Sequence, residues 1–151
     1  MANGLLSILP QLLPKAIDWA EKRSAEICSS GVALTEREKR IAMAVGVTNP
    51  EKIRISIVSS MPIPDDPMLQ KVAIETGLLG PDTAGLTLGY GIYILAGEDS
   101  DQLLSHECRH VYQYETFGSI AEFMPIYLQQ IAQDGYEGAA LEIDARQHET
   151  S

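Results

Sequence analysis

His106 and His110 stand four residues apart in the run Ser105-His106-Glu107-Cys108-Arg109-His110, with Glu107 directly after the first histidine. This is the pattern H-E-x-x-H. On a helix, residues i and i+4 share a face, so both imidazoles can reach one ion. Glu107 is rotated by about 100° from the first histidine, because a helix turns once in 3.6 residues. It therefore stands beside the ion without having to bind it, where a base for metal-activated water belongs. Two of the chain's three histidines fall in this window.

A catalytic metal also needs a third protein ligand and an open position. The metzincin pattern asks for Gly and His where this chain has Gln113 and Thr116, so that pattern fails. A later glutamate is the alternative: Glu115, Glu122, Glu137 or Glu142. Glu115 falls on the wrong face of the same helix, Glu122 at a helix cap and Glu137 in a loop. Glu142, in Leu141-Glu142-Ile143-Asp144-Ala145, lies on a last helix able to fold back antiparallel. It is the preferred ligand, and His148 is its main rival.

The elements around these residues follow from periodicity. Leu104, Cys108, Val111 and Tyr112 fall opposite the histidines, so this stripe buries while the His/Glu face looks into a cleft. Gln113, Tyr114 and Phe117 continue the histidine face. Cys108 reads as a packing residue, not a ligand. Asp99 or Ser100 caps this helix, which runs to about Thr116. Upstream, Leu86–Leu95 alternates as one strand, with Leu86, Leu88, Tyr90, Ile92 and Ile94 on one face. Gly89 and Gly91 lie on the other face, where something can approach the backbone closely. Lys52–Val58 is a second strand, with Ile53, Ile55 and Ile57 on one face.

Thr35 and Glu38 have capping-box spacing, predicting a helix over 36–45. A short helix follows over 69–76. Apolar residues recur at helical steps over 5–27, and Pro10 and Pro14 restrict the solid helix to Pro14–Ile27. This N-terminal segment, residues 1–30, packs on the core or mediates a partner contact or self-association. Ser119 and Glu122 open another helix, to Asp134, in which Pro125 forces a kink or a late start. Gly135 stops it, and a last helix covers 139–148. The expected fold is one α+β domain over 1–151, a small β-sheet packed beside the H-E-x-x-H helix and a helical C-terminal half. Residues 85–148 hold the strand and the metal-site helices.

Composition excludes other classes. The net charge is -10, and residues 97–151 carry 11 acids against only Arg109 and Arg146. An acidic half repels phosphate backbones, which argues against nucleic-acid binding. A hydrophobic fraction of 45% and a charged fraction of 21% fit a globular chain. No apolar run suggests a transmembrane span, and Leu5–Leu13 is a poor signal peptide. A cytoplasmic protein is expected. Cys28 and Cys108 show no disulfide framework.

H-E-x-x-H followed by E-x-x-A about thirty residues on resembles the gluzincin branch of the zincin metallopeptidases. The string HECRHVYQYETFGSI with LEIDAR is similar to small bacterial zincin-like proteins without an assigned role. The resemblance covers roughly residues 85–148. It implies Zn2+ held by His106, His110 and Glu142, with Glu107 as general base. It also implies that strand 86–95 is the edge strand above the active-site helix, where an extended substrate pairs. Leu141 and Arg146 depart from the Asn and Asp often found around the third ligand.

The activity implied is hydrolysis of a peptide or protein substrate by zinc-activated water. Tyr90, Tyr93, Tyr114 and His148 are candidate oxyanion donors, Arg109 is placed to pair with an acid, and Asp144 or another carboxylate to orient a ligand imidazole. The alternative is a non-catalytic binding module with a structural or vestigial metal site.

Overall fold

The computed structural model describes residues 2–150. The fold is α+β, with six helices and a four-stranded mixed sheet among the described residues. The strands are β1 (Val32–Ala33), β2 (Arg54–Val58), β3 (Gly85–Leu88) and β4 (Gly91–Leu95), in the order β1-β2-β4-β3. β2 and β4 are parallel, with Ser56 opposite Tyr93, and the two outer strands are antiparallel to their neighbours.

The expected single strand over 86–95 is a hairpin instead. Leu88 pairs with Gly91, and Gly89 takes φ +66° in the turn between them. Two turn residues leave both arms alternating but swap their faces, which a run of alternating residues does not reveal. Leu86 therefore lies opposite Tyr93, and Thr87 opposite Ile92. Leu88 and Tyr93 join one buried cluster, whereas Ile92 and Ile94 join the other. The edge strand is β3 alone, and Tyr90 sits in the turn. Gly91 does meet a close neighbour, as its position in the pattern implied: a Cβ there would lie 2.9 Å from Cβ of Ile27.

Helix α1 (Ala2–Ser30) runs straight through Pro10 and Pro14, longer than the expected Pro14–Ile27. An internal proline costs about 3 kcal/mol. Burial of Leu9, Leu12, Ala16, Ala20 and Ile27 against the sheet and α5 (Ile120–Gly138) offsets that cost. Pro125 likewise does not delay α5, which continues through it. The helix begins after Ser119, whose hydroxyl accepts the Glu122 N–H, and breaks only at Gly135 (φ 77°, ψ 167°). Thr35 and Glu38 form the expected capping box of α2 (Glu36–Ala44). Asp66 caps α3 (Pro67–Glu75). The isoleucine stripe of β2 leads out of the core: Ile53 is fully buried, and Ile57 is 57% exposed. No helix among the described residues is long and apolar enough to cross a membrane.

Two clusters sandwich α4 (Asp101–Phe117), the H-E-x-x-H helix. Leu104, Cys108 and Val111 pack with Ile92 and Ile94 of the sheet and with Ala42 of α2. On the other side Tyr114 stacks on Phe123 with ring centroids 3.9 Å apart, and Phe123 stacks on Tyr127. The last helix, α6 (Ala140–Gln147), closes against α4. The histidine face is thus partly covered by α5 and α6: His110 is turned to the interior, and His106 and Glu107 border an open cleft, as expected.

Candidate metal centre

Ser100 caps α4 by accepting the Leu103 N–H, and Gly118 ends the helix at φ 105°. Over the intervening turns the helix presents His106 and His110 side by side, with ring centroids 5.0 Å apart. Glu142 of α6 faces both. Its Oε1 lies 3.3 Å from His106 Nε2, and its Oε2 lies 3.1 Å from His110 Nε2. One ligand atom from each of the three residues lies within 4.8 Å of the others. Glu142 is 1% exposed and His110 6%.

α6 is held in place by groups on α4 and α5. Gln130 Oε1 accepts the Leu141 N–H at 2.9 Å. Arg109, stacked on the Tyr112 ring, donates to both Asp144 oxygens at 2.8 and 3.2 Å. Gln113 Nε2 donates to Leu141 O and to Asp144 Oδ2, each at 2.9 Å. Both of those partners only accept, so the Gln113 amide has one orientation. Its Oε1 then accepts from His110 Nδ1 at 2.8 Å, which puts the proton on that nitrogen. His106 Nδ1 donates in the same way to Glu149 Oε2, at 2.8 Å.

These contacts decide the chemistry of the donor set. In its neutral form each imidazole turns an unprotonated Nε2 toward the Glu142 carboxylate. Acceptor then faces acceptor, an arrangement that requires a cation or protons between the groups. Two imidazole nitrogens and one carboxylate fit a transition-metal or zinc-like ion. The cluster could therefore hold a metal ion.

With protons in that space the groups titrate together. Burial pulls His110 down, but the Glu142 hydrogen bond and charge outweigh it and push the imidazole up to about 9. His106 also rises: burial is again opposed by Glu142, and by Glu107. Burial pushes Glu142 up, yet the hydrogen bonds from His106 and His110 hold it well below the usual carboxylate range. The His and Glu shifts describe one interaction and count once. A raised histidine adds stability that is full below its unfolded pKa and is lost as pH rises through the folded value. In chelator, the protein is therefore expected to lose on the order of 3 kcal/mol between pH 6.5 and pH 9. Excess zinc is expected to stabilise it increasingly over the same range, since metal displaces those protons. Melting temperatures at graded pH, with and without zinc, check both trends, and a flat profile in chelator would contradict the pairing.

Glu107 is 4% exposed and binds neither histidine. The Thr87 hydroxyl lies 2.7 Å from its Oε1 and 3.1 Å from its main-chain oxygen. The other carboxylate oxygen sits against Gly85 of β3, where an added Cβ would come within 2.8 Å of Oε2. Burial pushes the Glu107 carboxyl up, outweighing His110 and His106, which pull it down. Glu107, Gly85 and Tyr136 stand between two spaces. One is an apolar cavity of about 70 Å³ reaching His110 and Glu142, walled by residues such as Leu12, Trp19, Leu69 and Phe123. The other is an open cleft of about 560 Å³ bordered by residues 79–85, His106 and Glu149.

The oxyanion candidates separate. Tyr114 lines the cavity, and its hydroxyl donates to Thr87 O at 3.2 Å. Tyr90 lies in the β3–β4 turn and donates to Glu115 Oε2 at 2.7 Å, away from the histidines. Tyr93 is buried in the core. His148 Nδ1 bonds to Asp144 O at 2.8 Å and takes no part in the cluster. Asp144 reaches His110 through Gln113, and Arg109 does pair with an acid. Sequence reasoning missed Tyr127, whose hydroxyl donates to Glu142 Oε2 at 2.7 Å. It also missed Gly85, Thr87, Tyr136 and Glu149, none of which carries a local signal. Gln113 lies on the histidine face, as the helical spacing predicts, and its contact with His110 is a finding of the structure.

No family model matches the chain, and neither a curated protein nor a solved structure matches it.

Proposed function

We propose that this chain is a zinc-dependent hydrolase of gluzincin type that cleaves a peptide or amide bond. The observation that carries the reading is Glu107. It is an acid beside the His106–His110–Glu142 cluster that binds none of it, and a purely structural site has no use for such a group. Zn2+ held there would act as a Lewis acid and lower the pKa of water to about 7.

The chain's own residues supply the other functions. Glu107 Oε2, left free by the Thr87 hydrogen bond to Oε1, takes a proton from water and returns it to the leaving amine. Glu142 is fixed by Tyr127, and His110 by Gln113. Burial raises the phenols of Tyr114 and Tyr127, so both remain neutral hydrogen-bond donors beside the cavity. Tyr127 spends its proton on Glu142, and Tyr114 would exchange its bond to Thr87 O to serve a developing oxyanion. The apolar cavity suits an apolar side chain next to the scissile bond, and the open cleft suits the rest of an extended substrate along β3.

Mass spectrometry of the purified protein tests the reading first. About one zinc per chain is expected. Dialysis against a chelator is expected to remove the metal together with hydrolysis of a peptide pool rich in Leu and Phe, and added zinc to restore both. Failure to take up zinc would overturn the metal centre. Stoichiometric zinc without cleavage of any peptide would instead favour a non-catalytic binding module.

A further inference from the structure

The two ligand histidines are anchored differently. His110 is held by Gln113, which is itself locked by Leu141 O and Asp144 where α4 and α6 meet. His106 is held by Glu149, a residue beyond the end of α6. The two residues after His148 attach to α4 through its early turns. Gln102 Nε2 donates to Glu149 Oε1 at 2.8 Å, and the Thr150 N–H donates to Ser105 Oγ at 2.8 Å. Ser105 is 1% exposed, and its hydroxyl donates in turn to Gln102 O. Three neighbouring positions on α4, residues 102, 105 and 106, thus grip residues 149–150.

We propose that this segment is a clamp on the metal centre: Glu149 holds His106 in its ligating orientation, so segment docking and metal occupancy favour each other. The inference rests on the reading of His106 as a metal ligand. Glu149 is a positioning residue that acts on the ion through His106. Among the described residues it is the only side chain bonded to His106 Nδ1. Its loss leaves the ring free to turn and its Nδ1–H without an acceptor. Groups in this relation to a metal ligand change metal affinity by about 10–100-fold. Linkage is reciprocal, so the ion must tighten the segment if the segment tightens the ion.

The test measures zinc affinity by competition with a chromophoric chelator for wild type, Glu149→Ala and Glu149→Gln. Glu137→Ala, at an exposed acid of α5, controls for a lost negative charge. Glu149→Ala is expected to weaken zinc binding by about 10–100-fold. Glu149→Gln, which keeps an acceptor oxygen, should lose less, and Glu137→Ala should match wild type. Hydrogen exchange at the Thr150 amide gives a second readout independent of activity. Zinc is expected to slow it in wild type and to leave it unchanged in His110→Ala. Zinc affinity of Glu149→Ala within twofold of wild type, with Thr150 exchange indifferent to zinc, would overturn the clamp and leave the metal centre standing. A wild-type protein that binds no zinc would overturn both.

Discussion

Glu107→Gln is expected to keep one zinc per chain and to lose hydrolysis by about 10²- to 10⁴-fold, the usual worth of a general base. The substitution preserves shape. Its amide oxygen can still accept from Thr87, and its bulk still fits against Gly85. What it removes is the capacity to take a proton. Stability should not fall, because a buried carboxylate that bonds only to Thr87 becomes a neutral amide. Three measurements on one sample separate the possibilities: zinc content, melting temperature and kcat/KM on a peptide substrate. Unchanged kcat/KM would remove Glu107 from the mechanism. Lost zinc would mean that Glu107 supports the centre rather than the chemistry.

The histidine pair was legible in the sequence because a helix converts spacing into geometry without help from the rest of the fold. His106 and His110 share a face at i and i+4 wherever the helix lies. Glu142 was legible in a weaker sense: it lay on a last helix able to return along α4, and hydrogen bonds from Gln113 and Gln130 make that return specific. Thr87 and Gly85 were hidden by the hairpin. Read as one strand, residues 86–95 put Leu86 and Ile92 on the same face, whereas the turn at Gly89 places them on opposite ones.

Burial of the site was illegible for a related reason. The polar stripe of α4 looks solvated in a helical projection, since a projection sees only its own helix. His110, Glu107 and Gln113 can lie inside because each finds a partner on another turn or element. Tyr127 and Glu149 are fifteen and forty-three residues from the cluster side chains they hold, and no spacing rule reaches so far. The prolines of α1 show the same limit. Local propensity ended the helix early, and packing against α5 and the sheet carried it through.

Glu142→Gln is expected to abolish stoichiometric zinc binding and to reverse the sign of the pH dependence of stability in chelator. The amide fills the same space, its oxygen can accept from Tyr127, and its N–H can donate to one imidazole. It offers no charge to two. In the wild type, burial pulls His110 and His106 down, and Glu142 is the main counterweight. Without that carboxylate the burial effect prevails. For His110, Glu107 is a weak substitute, since its own burial drives it toward the neutral form, whereas His106 keeps the Glu149 carboxylate at Nδ1. His110 then lies uncharged at neutral pH, with a folded pKa below that of the unfolded chain. The unfolded state then binds more protons between the two values, so stability rises with pH through about 5 to 7. In the wild type the histidines bind more protons when folded, and stability falls toward pH 9. Melting curves of the two proteins across pH 5–9 should therefore cross over in slope, and parallel curves would show that Glu142 is not the group holding the histidine protons.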